Sequence, residues 1–302
     1  LKGSIVRQLK RDRTFLLLFA PVLIYYIMFR YVPMFGIAIS FMDYNLFKGI
    51  GESEWVGLKY YKIFFENRDA LVIIKNTVLL GLYKLAFGFP APIVLALLLN
   101  ELRSAIYKRF VQSVSYLPHF LSTVVVSSMI VMLLSPSTGW INHAIQWLGF
   151  PAIHFLQKAE WFRTIYIASE VWQQVGWGSI IYLAAITTID PQLYDAAKMD
   201  GAGRWKQTLH VTLPGISAAI VILFILQIGH ILEIGFEKVF LLSNAAIYDT
   251  SDIISTYVYR TGILQGGFSY ATAIDLFMGV IGLLFVYVSN QISRKLGETS
   301  LW

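Results

Sequence analysis

The chain has 302 residues, of which 57% are hydrophobic and 14% charged, with a mean hydropathy of +0.62. Soluble domains carry about 25% charged residues, so this composition is that of a membrane protein and leaves no room for a large separate soluble domain. The lack of cysteine excludes a disulfide framework, a thiolate nucleophile and Cys-ligated zinc. The net charge of +6 is no nucleic-acid signal, because its Lys and Arg flank apolar runs as membrane topology requires.

Residue 1 is Leu, which points to a trimmed or renumbered start. The basic stretch 1–14 (Lys2, Arg7, Lys10, Arg11, Arg13) leads into an apolar run longer than a signal-peptide core and without a small-residue cleavage site. It reads as the cytoplasmic flank of an uncleaved first span. Six runs reach the roughly 20 apolar residues that a bilayer core needs: 15–41, 73–99, 110–134, 162–189, 216–242 and 271–292. They define an all-α, polytopic transmembrane domain over 15–292, followed by a tail over 293–302. Arg30 and Pro33 predict that the first run bends or leaves the membrane in its second half. Gly88, Pro90 and Pro92 predict a kink in the second, because proline removes a backbone donor.

Thirteen Lys and Arg lie in the N-terminus, the 100–109 and 190–215 loops and the C-terminus. On the other side, Lys48, Lys59, Lys62, Arg68, Lys158 and Arg260 are spread over longer segments. The positive-inside rule places both termini and the 190–214 loop in the cytoplasm. Segments 42–72, 135–161 and 243–270 then face outward, where their Trp, Tyr, Phe, Asn and Gly suit an external partner or packing at the membrane surface.

Between the fourth and fifth runs stands DPQLYDAAKMDGAGRWKQTLHVTLP, from Asp190 to Pro214. Asp190 is a capping residue with Pro191 at the first helical position. Ala196 and Ala197 let a helix lie close to a partner surface, Gly201 permits a left-handed turn, and a second helix runs through Leu213-Pro214 into the next span. Such a loop is a docking element. Its pattern is Asp195-Ala196-Ala197, three residues, Gly201, nine residues, then Val211, Leu213 and Pro214. It resembles the EAA loop in the permease subunits of binding-protein-dependent ABC importers, with Asp195 for the usual Glu and Val211 for the usual Ile. The segments YNLFKGI (44–50), FGFPAPIVLALLLNE (87–101), GFEKVFLL, STYVYRTGI, FSYATAIDLF and RKLGETSLW extend the likeness over nearly the whole chain. They are similar to the oligosaccharide branch, and most like the permeases for alginate and other oligouronides.

That resemblance implies a type I ABC importer permease fold with six transmembrane helices and a cytoplasmic coupling helix between spans four and five. It implies that Asp195, Ala196, Ala197, Gly201, Leu213 and Pro214 couple the chain to an ATPase. The implied partners are a second homologous permease, two ATPase subunits, a periplasmic or external solute-binding protein, an oligosaccharide and membrane lipid, in a bacterial cytoplasmic (inner) membrane. No cofactor is implied in this chain: ATP and Mg would bind the partner ATPase, and no GxxxxGK[ST] phosphate loop stands in the sequence.

Charged groups at membrane depth are costly and face a cavity or a partner. The substrate-path candidates are Lys84 in span two, Glu170, Trp172 and Gln173 in span four, Gln227 and His230 in span five, and Asp275 in span six. Trp172 with Gln173, and Gln227 with His230, combine ring faces with hydrogen-bonding groups. Lys84 suits a uronate carboxylate, or pairs with Glu170 or Asp275 as a structural bridge. His230, one turn from Gln227 and Glu233, equally fits a packed residue. Glu233, Glu237 and Lys238 fit packing between subunits, and Trp140, Trp147 and Trp161 fit an interfacial belt. The five histidines show no ligand spacing, so no metal site is expected. Two other classes explain less of the sequence. A stand-alone secondary transporter coupling ions through Glu170 and Asp275 leaves the loop unexplained. An intramembrane hydrolase built on Ser179 and His230 lacks a strained nucleophile setting.

Overall fold

A computed structural model describes residues 13–295; the stretch before Arg13, with Lys2, Arg7, Lys10 and Arg11, and the tail after Lys295 lie outside the described residues. The elements that matter are α1 (Arg13–Phe41), β1 (Met42–Asp43), β2 (Glu54–Trp55), α2 (Lys59–Glu66), α3 (Arg68–Asn100), α4 (Ala105–Phe120), α5 (Thr123–Leu134), α6 (Trp140–Trp147), α7 (Ala159–Thr187), α8 (Pro191–Met199), α9 (Arg204–Gly215), α10 (Ser217–Gly229), α11 (Phe236–Leu242) and α12 (Phe268–Lys295). The chain divides into two compact units. One runs to Asn67 and takes in Val258–Leu276; the other holds Arg68–Tyr257 and the chain from Phe277 on.

In the first unit, α1 leaves every side chain of its first 14 residues unburied. β1 and β2 pair antiparallel, Met42 opposite Trp55 and Asp43 opposite Glu54. Among the described residues this small ribbon is the one pair of strands in an otherwise helical chain. Tyr44 N–H donates to Ser269 Oγ at 2.9 Å, and Phe64 of α2 packs edge-on to Tyr270, so the ribbon and α2 are fastened to the start of α12.

In the second unit, two apolar cores grip opposite ends of α7. Phe162, Tyr166 and Ile167 pack with Leu80, Ile234, Val239 and Leu242. Tyr182, Ile186 and Ile189 pack with Ala96 and Ile216. The segment between α5 and α7 folds around a buried amide. Asn142 Nδ2 donates to the carbonyls of Leu134 at 3.0 Å and Ile153 at 3.1 Å, and its Oδ1 accepts from Ile153 N–H at 2.8 Å.

Prolines shape three helices in one way. Each of the π-turns Ile27–Tyr31, Lys84–Gly88 and Thr208–Thr212 ends two residues before a proline: Pro33, Pro90 and Pro214. A helical proline ring collides with the carbonyl four residues back. Those carbonyls belong to Phe29, Ala86 and His210, the centres of the π-turns, where the wider hydrogen-bonded loop sets them aside. The kink predicted at Pro90 and Pro92 therefore takes the form of a π-turn inside a continuous α3, and α1 likewise remains helical past Arg30 and Pro33.

Among the described residues, three helices (α1, α3 and the Phe268–Gln291 part of α12) are long and apolar enough to cross a membrane, or five if two bent pairs each count as one span. Two of the six expected runs are broken, and a third is diluted by polar residues. The third run is α4 and α5, bent by 100°. Pro118 sits in the last turn of α4, and the Ser122 side chain caps a fresh helix by accepting from Val125 N–H at 3.3 Å. The fifth run starts at a 63° bend from α9 at Ile216 and then breaks between Gly229 and Phe236. The fourth, α7, is 29 residues long, or ~43 Å, enough to cross a bilayer core, although Glu170, Gln173 and Gln174 dilute its apolar run.

Candidate functional site

The middles of the two longest helices of the second unit meet in a cavity. Lys84 stands sixteen residues from each end of α3, about 24 Å along the axis. On α7, Glu170 lies three residues before the midpoint, Gln173. Around this level lies a cavity of about 490 Å³, lined by Lys84, Glu170, Gln174, Trp177, Gln227 and His230 among others. Phe89, Tyr182 and Leu226 supply apolar wall. Ring faces beside amides and charged groups are what a polar ligand with flat apolar faces requires.

The charges are unevenly matched. Lys84 Nζ lies 3.8 Å from Glu170 Oε1. Lys238 Nζ, on α11 and only 3% exposed, lies 2.7 Å from Glu170 Oε2 and donates to Gln173 Oε1 at 2.8 Å. Gln173 Nε2 in turn donates to the Leu121 carbonyl at 3.1 Å, in the bend between α4 and α5. Glu170 thus belongs first to the buried Lys238. Of the described residues that line the cavity, Glu170 is the only acid. One wall is braced by His119, which stacks on Trp177 with centroids 4.6 Å apart and shares a 2.9 Å hydrogen bond with Gln174 Oε1. That crossing depends on Gly176, where a Cβ would stand 1.9 Å from the Ser115 carbonyl oxygen of α4.

The expected path residues divide. Lys84, Glu170, Gln227 and His230 come together; His230 also pairs with the exposed Glu233 at 2.8 Å. Gln173 is buried behind the wall, and its pairing with Trp172 fails, because successive helical residues point about 100° apart. Trp172 lines a separate cavity of about 790 Å³ with Tyr83, Phe87 and Arg163. Asp275 is exposed in the first unit and is absent from the lining, so the bridge that Lys84 makes is to Glu170. Lys238, assigned to subunit packing, is the buried partner of Glu170. His119, one of the five histidines without ligand spacing, packs as a wall residue against Trp177. Ser179 is fully buried and its hydroxyl donates to the Gly176 carbonyl at 2.6 Å, so it is no nucleophile.

The 190–214 loop folds as read. Asp190 accepts from Gln192 N–H at 2.9 Å and caps α8. Gly201 turns the chain with φ of +75°. α9 then passes through its π-turn to Leu213 and Pro214. Asp195 is exposed and pairs with Lys198 at 2.9 Å; Ala196 is exposed and Ala197 half-buried. Leu193, Met199 and Trp205 are exposed at 53%, 89% and 74% in this otherwise polar element. Its inner side is anchored. Tyr194 and Val211 pack on the core of Ala96, Tyr182, Ile186 and Ile216, Tyr194 hydroxyl pairs with Thr212 Oγ1 at 3.0 Å, and Arg204 reaches Glu101 at 3.6 Å.

Residues 88–297 match the family described as Binding-protein-dependent transport system inner membrane component. The chain belongs to this family. The permease is 50% identical over 286 residues to the Polygalacturonan/rhamnogalacturonan transport system permease protein YteP of Bacillus subtilis (strain 168), covering 95% of this chain and 89% of that protein. It is 45% identical to Protein LplB of the same organism, covering 97% and 92%. Its fold matches a chain in the crystal structure of a bacterial ABC transporter involved in the import of the acidic polysaccharide alginate, with a TM-score of 0.91 at 40% identity over 97% of this chain and 99% of that one. The alginate transporter in complex with alginate pentasaccharide-bound periplasmic protein matches equally, with a TM-score of 0.91 at 40% identity over 98% and 99%. The permease is a membrane subunit of an ABC importer with the type I fold, and the ATPase of such an importer is a separate chain. Membership removes the secondary-transporter and hydrolase readings.

Proposed function

We propose that this permease, paired with a second homologous permease, conducts acidic oligosaccharides from an external solute-binding protein into the cytoplasm. The observation that carries the reading is the charge of the mid-helix cavity: two lysines share one glutamate, which leaves a cation facing a chamber lined by Trp177, Phe89 and hydrogen-bonding amides. A uronate offers the matching carboxylate and a ring face. Relatives named for polygalacturonan, rhamnogalacturonan and alginate transport support the same chemistry, and the complex with a periplasmic protein supports the external partner.

Drive would enter through Asp190–Pro214. Two ATPase subunits, binding ATP and Mg themselves, would dock one on each permease. In this chain α8 would move with its ATPase. Because Tyr194 and Val211 pack on the same core as Tyr182 and Ala96, displacement of α8 would be handed to α7 and α3, which bear Glu170 and Lys84. Alternating closure of the cavity's two sides follows from that linkage. The chain would lie in a cytoplasmic (inner) membrane with both termini and the coupling loop inside, as the Lys and Arg distribution supports.

The test is ATP-dependent uptake of trigalacturonate by the importer reconstituted with its ATPase and binding protein. Lys84→Met should lower uptake about tenfold, the worth of one partly exposed ion pair. Wild-type uptake by Lys84→Met would remove the cavity from the path.

A further inference from the structure

Lys84 and Lys238 compete for one carboxylate, and the geometry decides the competition. The Lys238 contact is a short, charge-assisted hydrogen bond at 2.7 Å from an ammonium that is 3% exposed. The Lys84 contact is 3.8 Å long, from a side chain 25% exposed. A buried ammonium that loses its counter-ion is strongly disfavoured, whereas a half-solvated one at the edge of a cavity exchanges partners cheaply. Glu170 therefore stays with Lys238 when an anion arrives, and Lys84 is the cation that turns to it. Gln173 holds the arrangement from behind, accepting from Lys238 at 2.8 Å while donating to the Leu121 carbonyl at 3.1 Å. The other charged groups nearby do not alter the count: Glu233 is exposed, engages His230 and does not line the cavity, and Arg163, two turns before Glu170 on α7, lines the separate cavity and donates to Asn76 Oδ1 at 2.9 Å.

We infer that Lys238 is the positioning residue that sets the charge selectivity of the permease: by neutralising Glu170 from inside the protein, it frees Lys84 to bind a substrate carboxylate. Without it, Glu170 would capture Lys84, and the cavity would become neutral. The inference rests on the proposed passage of acidic oligosaccharides and adds a residue that never touches the sugar.

The experiment is equilibrium binding of trigalacturonate and of its carboxyl-reduced, neutral counterpart to the purified importer complex without binding protein. The readout is the ratio of the two affinities, which a merely structural role would leave unmoved. Wild type should prefer the acid about tenfold. Lys238→Gln, which keeps a hydrogen-bond donor and removes the charge, should bring the ratio near one. Lys238→Gln with Glu170→Gln should restore the preference, because Lys84 then has no internal competitor. A single variant that keeps the wild-type ratio, or a double variant that does not regain it, overturns the role of Lys238. A wild type without preference defeats the acidic-substrate reading itself, before any variant is compared.

Discussion

Tyr60 donates its phenolic hydrogen to Asp43 at 2.7 Å, and Lys59 reaches the other carboxylate oxygen at 3.2 Å. These two hydrogen bonds, that of Tyr60 first, hold the Asp43 carboxyl below its usual value. Burial first, and the bond to Asp43 second, push the Tyr60 phenol up to about 12. The signs follow from linkage. A depressed carboxyl contributes stability that is whole above its ordinary value and fades as pH falls through the folded one. A raised phenol contributes stability that is whole below about 10 and fades as pH rises through about 12. In a spectrophotometric titration the difference between wild type and Tyr60→Phe should show one phenol ionising near 12. Asp43→Asn should lower that value while leaving it above an ordinary tyrosine, because burial is the larger cause. A Tyr60 that titrates like a free phenol would dissolve the pair. In the sequence Asp43 was legible only as one residue of an outward segment; its partners Lys59 and Tyr60 sit on α2, brought back to it by a two-residue ribbon that no periodicity announces.

At the scale of elements, Gly176 is where α4 and α7 touch. A Cβ there would meet the Ser115 carbonyl oxygen at 1.9 Å, and backbone cannot swing aside as a flexible side chain can. Gly176→Val should force the helices apart, cost about 1–3 kcal/mol by overpacking, and break the His119–Trp177 stack and the His119–Gln174 hydrogen bond together. A lowered Tm of the purified complex and altered tryptophan emission would register it, and a variant with unchanged Tm would deny the close crossing. The existence of these helices was readable, because apolar runs of span length have few other fates. Their interruptions were less so. Pro90 and Pro92 announced a disturbance but not its form, since a π-turn and a sharp kink answer the same missing donor. The break between α10 and α11 contains no proline. It is held by Ile234 and Val239 buried in the core around Tyr166, a tertiary cause invisible to local pattern. The same gap hid Lys238, which reads as one charge in an amphipathic stretch until the break turns it toward Glu170. Lys84 and Glu170 were found because a charge inside an apolar run demands a partner.

At the scale of the whole molecule, the loop from Asp190 to Pro214 is built to be rigid on one side and open on the other. Tyr194 and Val211 root it in the second unit's core, while Leu193, Met199 and Trp205 stand in solvent around Asp195 and Lys198. Exposed apolar residues on a capped, anchored helix mark a surface awaiting a partner, and under the proposed function that partner is the ATPase. Two substitutions separate docking from folding. Asp195 is exposed and paired only with Lys198, an exposed bridge worth about 0–1 kcal/mol, so Asp195→Lys should scarcely change Tm while reversing the charge offered to the ATPase. Gly201 has open space around its Cβ position but a φ of +75°, so Gly201→Val should add about 1–3 kcal/mol of local strain and tilt α8 against α9 without touching the core. Both variants should lose co-purification of the ATPase and sugar-stimulated ATP hydrolysis, with a membrane fold that melts within a few degrees of wild type. Wild-type hydrolysis in both would mean that force enters the permease elsewhere.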